Sequence, residues 1–553
     1  MNLVVLRRRS GVGVEAHERA GDGTTAGVTR VPAEELAAFV RERERTAVRW
    51  VWDDTTRWYP GLLDAGVRVE RCTDLRLTHA VLRRSPFVDQ ALLADDETPG
   101  WDALQPVTAT DAALFPLDDP ADRLDPLAEH DRQQAAVAAS DERGRLGLLL
   151  AAESSGALVA AEMTHAGLPW RADVHEQLLS ALLGPRPAHG GRPAVLERLL
   201  GEIRTSFGAP TLNPDSPAEL LRTLQGAGLP VRDTRSWTLE QLDHPGLPAL
   251  LEYKKLSRLL QANGWAWLDT WVRDGRFRSY FLPGGVVTGR WASNGGGALS
   301  VPTQIRPAAV ADDGWRFVVA DVAQLEPRVL AGMSADAAMA EAARSTDLYE
   351  GMVASGAVAT RADAKVGMLG AMYGGTRGES GRMMPRLARR YPRAIALVED
   401  AARAGERGEV VNTLLGRGSP PPSGAWAERA VGLGEPADEG GGKEDRDRHR
   451  RAWGRFTRNF VVQGTGAEWT LCWLADLRNR LWRLGSTGTV SERPHLVFFL
   501  HDEVVVHAPE HLADAVADEV RRAAETAGRL LFGGFPVDFP LDVAVVASWA
   551  DAS

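Results

Sequence analysis

A chain of 553 residues has room for about three or four domains. Its composition, 44% hydrophobic and 25% charged, is that of a globular protein with several cores. A net charge of −10 argues against a surface wholly coated with nucleic acid but leaves room for a local basic cleft. No apolar run approaches the roughly 20 residues of a membrane span. The start, "MNLVVLRRRSG", does not have the form of a secretory signal. With Cys72 and Cys472 as the only cysteines, a disulfide framework or cysteine zinc site is excluded, and a reducing cytoplasm fits. Of the 64 basic residues only Lys254, Lys255, Lys365 and Lys443 are lysines, which singles out any lysine inside a candidate site.

In chain order, residues 1–150 mix Trp/Arg-rich and Asp/Pro-rich patches. Helices are expected from about 155 to 285, where "SSGALVAAEMTHAG" and "SPAELLRTLQGAGL" begin with serine caps and end on glycine. The glycine-rich "LPGGVVTGRWASNGGGALSVP" reads as exposed loops. "RFVVAD" then reads as a strand ending on Asp321, followed by a helix that tolerates Pro327 near its start. Residues 418–450, rich in Pro, Gly and charge, read as a flexible insertion. "HLVFFLHDEVVVHAP" (495–509) reads as a β-hairpin with His501, Asp502 and Glu503 at or near its turn.

Asp321 and Asp502 are thus two strand-tip acids, 181 positions apart. They meet if both strands share a sheet, and two carboxylates held together repel unless a divalent cation neutralises them. Magnesium takes only one or two protein carboxylates and leaves its other positions to water and phosphates. On these segments alone, two unrelated strand-end acids are the favoured reading. Between them, in "TRADAKVGMLGAMYGG", Arg361, Lys365, Leu369 and Tyr373 recur every four residues along one helix face. Two cations, an apolar side chain and an aromatic ring in that order suit a nucleoside triphosphate. A solvated amphipathic helix remains the alternative.

Five segments taken together resemble the polymerase I family (family A) of DNA polymerases. "DVAQLEPRVLAGMS" (321–334) resembles the first palm motif, "RADAKVGMLGAMYG" (361–374) the fingers helix and "HDE" (501–503) the second palm motif; "TGRWAS" (288–293) and "RFTRNFVVQGTGAEW" (455–469) fall in the family's order. "LNPDSPAELLRTLQGAGLPV" and "LLEYKKLSRLL" are similar to its thumb. The resemblance implies an α+β multidomain chain with the polymerase right hand, in which a palm with an antiparallel sheet carries helical fingers and thumb. A smaller α/β exonuclease-like domain precedes it. The implied boundaries are 1–150 for that domain, 151–285 thumb, 286–344 palm, 345–454 fingers including the 418–450 insertion, and 455–553 the second part of the palm. No separate 5′ nuclease domain is expected before the first of these.

By the same resemblance, Asp321 and Asp502 hold two Mg²⁺ ions and Glu503 is an auxiliary acid. Arg361 and Lys365 bind the phosphates, Lys365 supplying a proton to pyrophosphate, which an arginine could hardly do. Tyr373 lies by the templating base, Glu326 crowds the sugar 2′ position, and Gln324 and Leu369 complete the nucleotide site. Thr288, Arg290, Arg455, Asn459, Gln463 and His501 touch primer or template. Several positions depart from the family pattern. Leu369 stands where these enzymes carry Phe or Tyr, Pro327 replaces an apolar residue, and Gly297, Leu299 and Ser300 occupy positions that often hold amides.

A proofreading 3′→5′ exonuclease needs several carboxylates, including an Asp-x-Glu pair on an early strand. Asp95 and Glu97 in "DDET" match only literally and read as a solvated loop, so the first domain is expected to be degenerate. The expected function is DNA-directed DNA synthesis from deoxynucleoside triphosphates on primer-template DNA, in replication-associated repair or gap filling. The expected setting is a nucleoid-associated cytoplasmic monomer without membrane contact. Two alternatives compete with it, a bifunctional polymerase/exonuclease and a DNA-binding protein with the fold but negligible catalysis.

Overall fold

The first strand, β1 (Leu3–Arg9), alternates Val4 and Leu6 onto one face of a sheet and Leu3 and Val5 onto the other, and each set is packed in a core. It lies at the centre of a five-stranded sheet in the order β3-β2-β1-β4-β5, with β2 (Gly13–Arg19), β3 (Thr25–Val31), β4 (Arg49–Trp52) and β5 (Cys72–Asp74). The β1–β2 and β2–β3 pairs are antiparallel, whereas β1–β4 and β4–β5 are parallel. The parallel pairs require crossovers, supplied by helices α1 (Leu36–Glu44) and α2 (Thr55–Asp64). This is a computed structural model, and it describes residues 2–9, 13–20, 23–107, 123–375, 378–422 and 442–552.

The chain divides into two compact units, one of Met1–Ala166, Tyr280–Asn294 and Gly314–Val545 and one of Gly167–Ser279, Gly295–Asp313 and Val546–Ser553. In the first unit, helix Arg143–Ala166 runs through the expected boundary at residue 150. Its "SSG" is not an N-terminus. Ser154 lies mid-helix, donating to the Leu150 carbonyl at 2.8 Å and accepting from the Asp74 N–H at 3.1 Å. The helix is long and apolar enough to span a membrane by length and composition, and 67% of its most apolar window is buried inside the protein.

A four-stranded sheet in the same unit has the order His495–Leu500, Glu503–Pro509, Trp315–Val322, Leu541–Val546. The first two pairings are antiparallel. Helix Gly442–Leu484, 43 residues and about 65 Å long at 1.5 Å per residue, backs this region with Phe460, Trp469, Trp473, Leu474 and Leu477 fully buried. Residues 442–450 of the expected flexible insertion are therefore the start of this helix; residues 423–441 of it lie outside the described residues. In the second unit, helices Ala172–Leu183, Ala194–Ser206, Pro217–Gly226 and Leu247–Asn263 close on a leucine-rich core. Here the expected cap is observed, because Ser216 accepts from the Glu219 N–H at 3.4 Å.

Candidate active site

Strand register decides whether the two acids meet. Trp315–Val322 pairs antiparallel with Glu503–Pro509 so that Asp321 lies directly across from Glu503. Cross-strand partners of this kind have Cα atoms about 4.5–5.5 Å apart. The hairpin turns in two residues, His501 and Asp502, between the paired Leu500 and Glu503. Val322 N–H donates to the Asp502 carbonyl at 3.1 Å, which ties the turn to the end of the Asp321 strand. Asp321, Asp502 and Glu503 therefore share one end of one sheet. His501 has φ 56°, a left-handed conformation that non-glycine residues adopt sparingly and mostly where the fold compels it.

Asp321 and His501 are exposed, while Asp502 and Glu503 are half-buried. Burial raises the Asp502 carboxyl above its usual range; Glu326 and Glu503 add to the rise, and Arg290 and its own N–H oppose it. A carboxyl among like charges is one a cation would return to its ionised form. Among the described residues no group of three or more His, Cys, Asp or Glu forms a cage for a metal. A pair of carboxylates open to phosphate oxygens is the set magnesium uses, so the residues present fit that ion.

Helix Arg361–Tyr373 is capped by Thr360, which accepts from the Asp363 N–H at 3.1 Å, and ends at Gly374 with φ 79°. Ala364, Gly367, Met368, Ala371 and Met372 form its buried face. On the opposite face Arg361, Lys365, Leu369 and Tyr373 are all exposed, Leu369 by 38% and Tyr373 by 40%. At its head, Arg361 Nε donates to Asp347 Oδ2 at 2.7 Å and its guanidinium lies 5.7 Å from the Tyr349 ring centre. At its foot, Tyr373 Oη donates to Glu326 Oε2 at 2.7 Å and accepts from Gln463 Nε2 at 3.3 Å. Arg290 Nη2 donates to the other Glu326 oxygen at 2.5 Å. Burial and the bond to Glu326 raise the Tyr373 hydroxyl, so it stays a donor at neutral pH.

Arg290 joins the helix foot through Glu326, and Arg455 and Asn459 stand one turn apart on the long helix. Arg290 is carried by the hairpin of Tyr280–Leu282 and Ala292–Asn294, which is seated by Trp291 edge-on to Phe499 at 5.0 Å. Thr288, next to it, is buried, and its hydroxyl has no hydrogen-bond partner among the described residues. The long helix lets this loop close in at Gly464, where an added Cβ would stand 2.4 Å from Thr413 Cγ2 and 3.1 Å from the Thr288 carbonyl. Arg455 is exposed and lays its stem on Gly374, while Asn459 Nδ2 is buried without a hydrogen-bond partner among the described residues. Gln324 has φ 50°, and its Oε1 accepts from Leu348 N–H at 3.1 Å and from Arg328 at 3.3 Å, so its amide oxygen serves the fold.

Arg328 was not anticipated. Fully buried, it donates to the carbonyls of Ala323, Ser345, Thr346 and Asp538 at 2.7–3.1 Å, and to that of Ala343. It thereby fixes the turn that presents Gln324 and Glu326. Burial pulls its pKa down to about 10, still leaving it charged. An arginine on the apolar face of a short helix was the available signal.

Residues 194–551 match the model of DNA polymerase family A. The chain is 28% identical over 434 residues to the thermostable DNA polymerase I of Thermus filiformis, an alignment that covers 68% of this chain and 48% of that protein. It is 27% identical over 340 residues to DNA polymerase I of Chloroflexus aurantiacus, covering 57% and 33%. The chain thus spans about half the length of these relatives or less. Its fold is that of the POL domain of Pol1 from M. smegmatis, solved in complex with DNA primer-template and dNTP. That match has a TM-score of 0.68 and 19% identity, and covers 99% of this chain and 95% of that one.

Proposed function

The chain belongs to DNA polymerase family A, and on that premise we propose that it extends a DNA primer on a template with deoxynucleoside triphosphates, in gap filling or replication-associated repair. The observation that carries this reading is the register that pairs Asp321 with Glu503, directly after the turn residue Asp502. Asp321 and Asp502 would hold two Mg²⁺ ions, with Glu503 as auxiliary acid. When bound, such ions acidify the primer hydroxyl and neutralise the charge developing on the phosphates. Arg361 would exchange Asp347 for a phosphate oxygen, and Lys365, exposed one turn on, would bind the next and give a proton to pyrophosphate. Tyr373 and Glu326 close the foot of the nucleotide site, with Glu326 crowding a 2′-hydroxyl. Arg290, Arg455 and the unpaired polar atoms of Thr288 and Asn459 face primer or template, beside Gln463 and His501. The second compact unit serves as thumb, and the protein works as a monomer in the cytoplasm at the nucleoid.

A primer-extension assay with magnesium on a primed single-stranded template tests this. Template-dependent extension supports it, whereas DNA binding without extension selects the non-catalytic alternative.

Leu369 gives an expected departure in sugar selection. Leucine packs against a nucleotide but can neither stack as a ring nor hydrogen-bond in place of a missing 3′-hydroxyl. Dideoxynucleotides should be discriminated against, and Leu369→Tyr should relax this several-fold, about 0.5–1.5 kcal/mol for one net hydrogen bond. The ratio of deoxy- to dideoxynucleotide incorporation efficiencies measures it; an unchanged ratio places residue 369 away from the sugar.

Proofreading should be absent. Asp95 accepts from the Glu97 and Thr98 N–H groups at 3.0 and 2.9 Å and pairs with Arg132, so it acts as a turn and cap residue. Glu97 accepts from the Asp125 N–H at 3.3 Å. β1, where the early Asp-x-Glu pair would stand, ends in Arg7, Arg8 and Arg9. With nucleotides omitted, a mismatched primer should remain intact in magnesium. Loss of its 3′ end that Asp95→Ala abolishes would refute this.

A further inference from the structure

Arg8 and Arg9, the last two residues of β1, line a cavity of about 430 Å³ in the first unit. Its walls are the end of β1 (Arg8, Arg9), the start of β2 (Gly13, Val14), the approach to and first turn of α1 (Ala33, Leu36, Ala37) and one face of α2 (Arg57, Trp58, Gly61, Leu62). Among these described lining residues three are arginines and none is acidic. Arg8 is held in place twice. Its guanidinium lies 4.8 Å from the Trp58 ring centre, and its Nη2 donates to the Arg57 carbonyl. Arg9 leans on Glu15 at 3.0 Å, and Arg57, 92% buried at its side chain, has Asp53 at 3.9 Å. Those two acids temper the field of their partners. Among the described residues Arg8 has no carboxylate within 4.0 Å, so the cavity mouth keeps a positive balance.

The floor is apolar. Val14, Trp58 and Leu62 are buried, with Leu36 and Ala37 half-buried beside them. The volume lies within the range of small-ligand sites and far exceeds what one oxyanion fills. A guanidinium fork at the mouth suits a phosphate. The flat face of an arginine and an apolar wall suit a base, because bases stack on arginine planes as on aromatic rings. We propose that this cleft binds a nucleotide, with its phosphate on Arg8 and Arg9 and its base against the Leu36–Trp58–Leu62 wall, and does not cleave it. Hydrolysis of the phosphodiester by metal ions would require carboxylates to hold them, and the described walls carry arginine instead. The cleft would therefore retain either a free mononucleotide or the terminal nucleotide of a single strand.

Photocrosslinking of the full chain separates these sources. The chain carries Lys365→Ala, to weaken the polymerase nucleotide site, and magnesium is omitted. One probe is 5-iodo-dUMP and the other a short oligothymidylate ending in 5-iodo-deoxyuridine, with crosslinked peptides identified by mass spectrometry. Crosslinks within residues 31–37 or 53–62 are expected, competed by dTMP, reduced about tenfold or more by Arg8→Glu and retained by Arg8→Lys. Labelling by the mononucleotide alone assigns the free nucleotide, and labelling by the oligomer alone assigns the strand end; either supports the cleft. Labelling confined to other peptides, or indifferent to Arg8→Glu, overturns the proposal. Primer extension by Arg8→Glu with Lys365 intact should equal wild type, which shows that the exposed substitution leaves the fold sound. That readout also keeps failure here distinct from failure of the polymerase reading.

Discussion

Asp321→Asn and Asp502→Asn should each lower primer extension by about three orders of magnitude while leaving duplex binding nearly unchanged. Each change keeps the size of the side chain and the backbone ladder that pairs Asp321 with Glu503, but removes a negative charge from the site assigned to the ions. Charge stabilisation by a bound metal amounts to several kcal/mol, and about 4 kcal/mol corresponds to about 10³ in rate. Duplex affinity comes mainly from cations on backbone phosphates, which these acids do not supply. Single-turnover extension and a binding titration at one fixed salt concentration separate the two effects. Near-normal extension by Asp502→Asn would sink the metal assignment.

The second large effect is structural. Glu162, on helix Arg143–Ala166, accepts from Arg478 Nε at 2.8 Å, from Arg478 Nη2 at 2.6 Å and from Tyr59 Oη at 2.6 Å. Arg478 also donates to the carbonyls of Glu70, at 2.9 Å, and Val69. Exposure of the two charged side chains is 9% and 3%. This cluster joins the five-stranded sheet and its α2 helix to the long helix behind the active site. Burial pushes the Glu162 carboxyl up, but Arg478 and Arg68 outweigh it and hold the group below its ordinary 4.5.

Glu162→Gln would leave Arg478 buried beside a neutral partner, a class of change that costs about 3–5 kcal/mol. Urea unfolding should show the earliest transition moving to clearly lower denaturant. The pH dependence has a definite sign. A carboxyl whose folded pKa is depressed contributes stability above the unfolded value, and that stability is lost as pH falls through the folded value. Wild type should therefore lose this contribution below about pH 4, and the glutamine variant should be flatter there. Identical unfolding curves at neutral pH would show that the cluster does not join these elements.

Much of the site is visible in the sequence because local rules govern it. Short apolar runs ending in acids mark Asp321 and Asp502 as strand tips, and a four-residue spacing puts Arg361, Lys365, Leu369 and Tyr373 on one exposed helix face. Pairing of the two strands is a matter of register, which the turn at His501 and Asp502 fixes and which no segment alone reveals. The contacts that join the helix to the sheet are also non-local. Glu326 links Tyr373 and Arg290, residues 47 and 36 positions away, and neither pairing has a sequence period.

Two misreadings have tertiary causes. Ser154 looks like a helix cap, yet its hydroxyl serves both its own helix, at Leu150, and the N–H of Asp74, so the helix continues through it. "GKEDRDRHR" looks like a solvated linker, yet from Gly442 it extends a helix whose later turns are anchored by Phe460, Trp469 and Trp473. Helix propagation from an anchored segment costs far less than nucleation, so polar residues with good helix propensity follow it. The five-stranded sheet at the start of the chain offers no such local signal, because β1 ends in arginines where the carboxylates of an exonuclease would be read.

The most direct measurement is anomalous scattering from Mn²⁺ in crystals of the full chain with primer-template and an incoming dNTP. The account predicts manganese at the end of the four-stranded sheet, in contact with Asp321 and Asp502, with the triphosphate reaching toward Lys365 and Arg361. Manganese elsewhere, or a triphosphate bound away from helix Arg361–Tyr373, would contradict it.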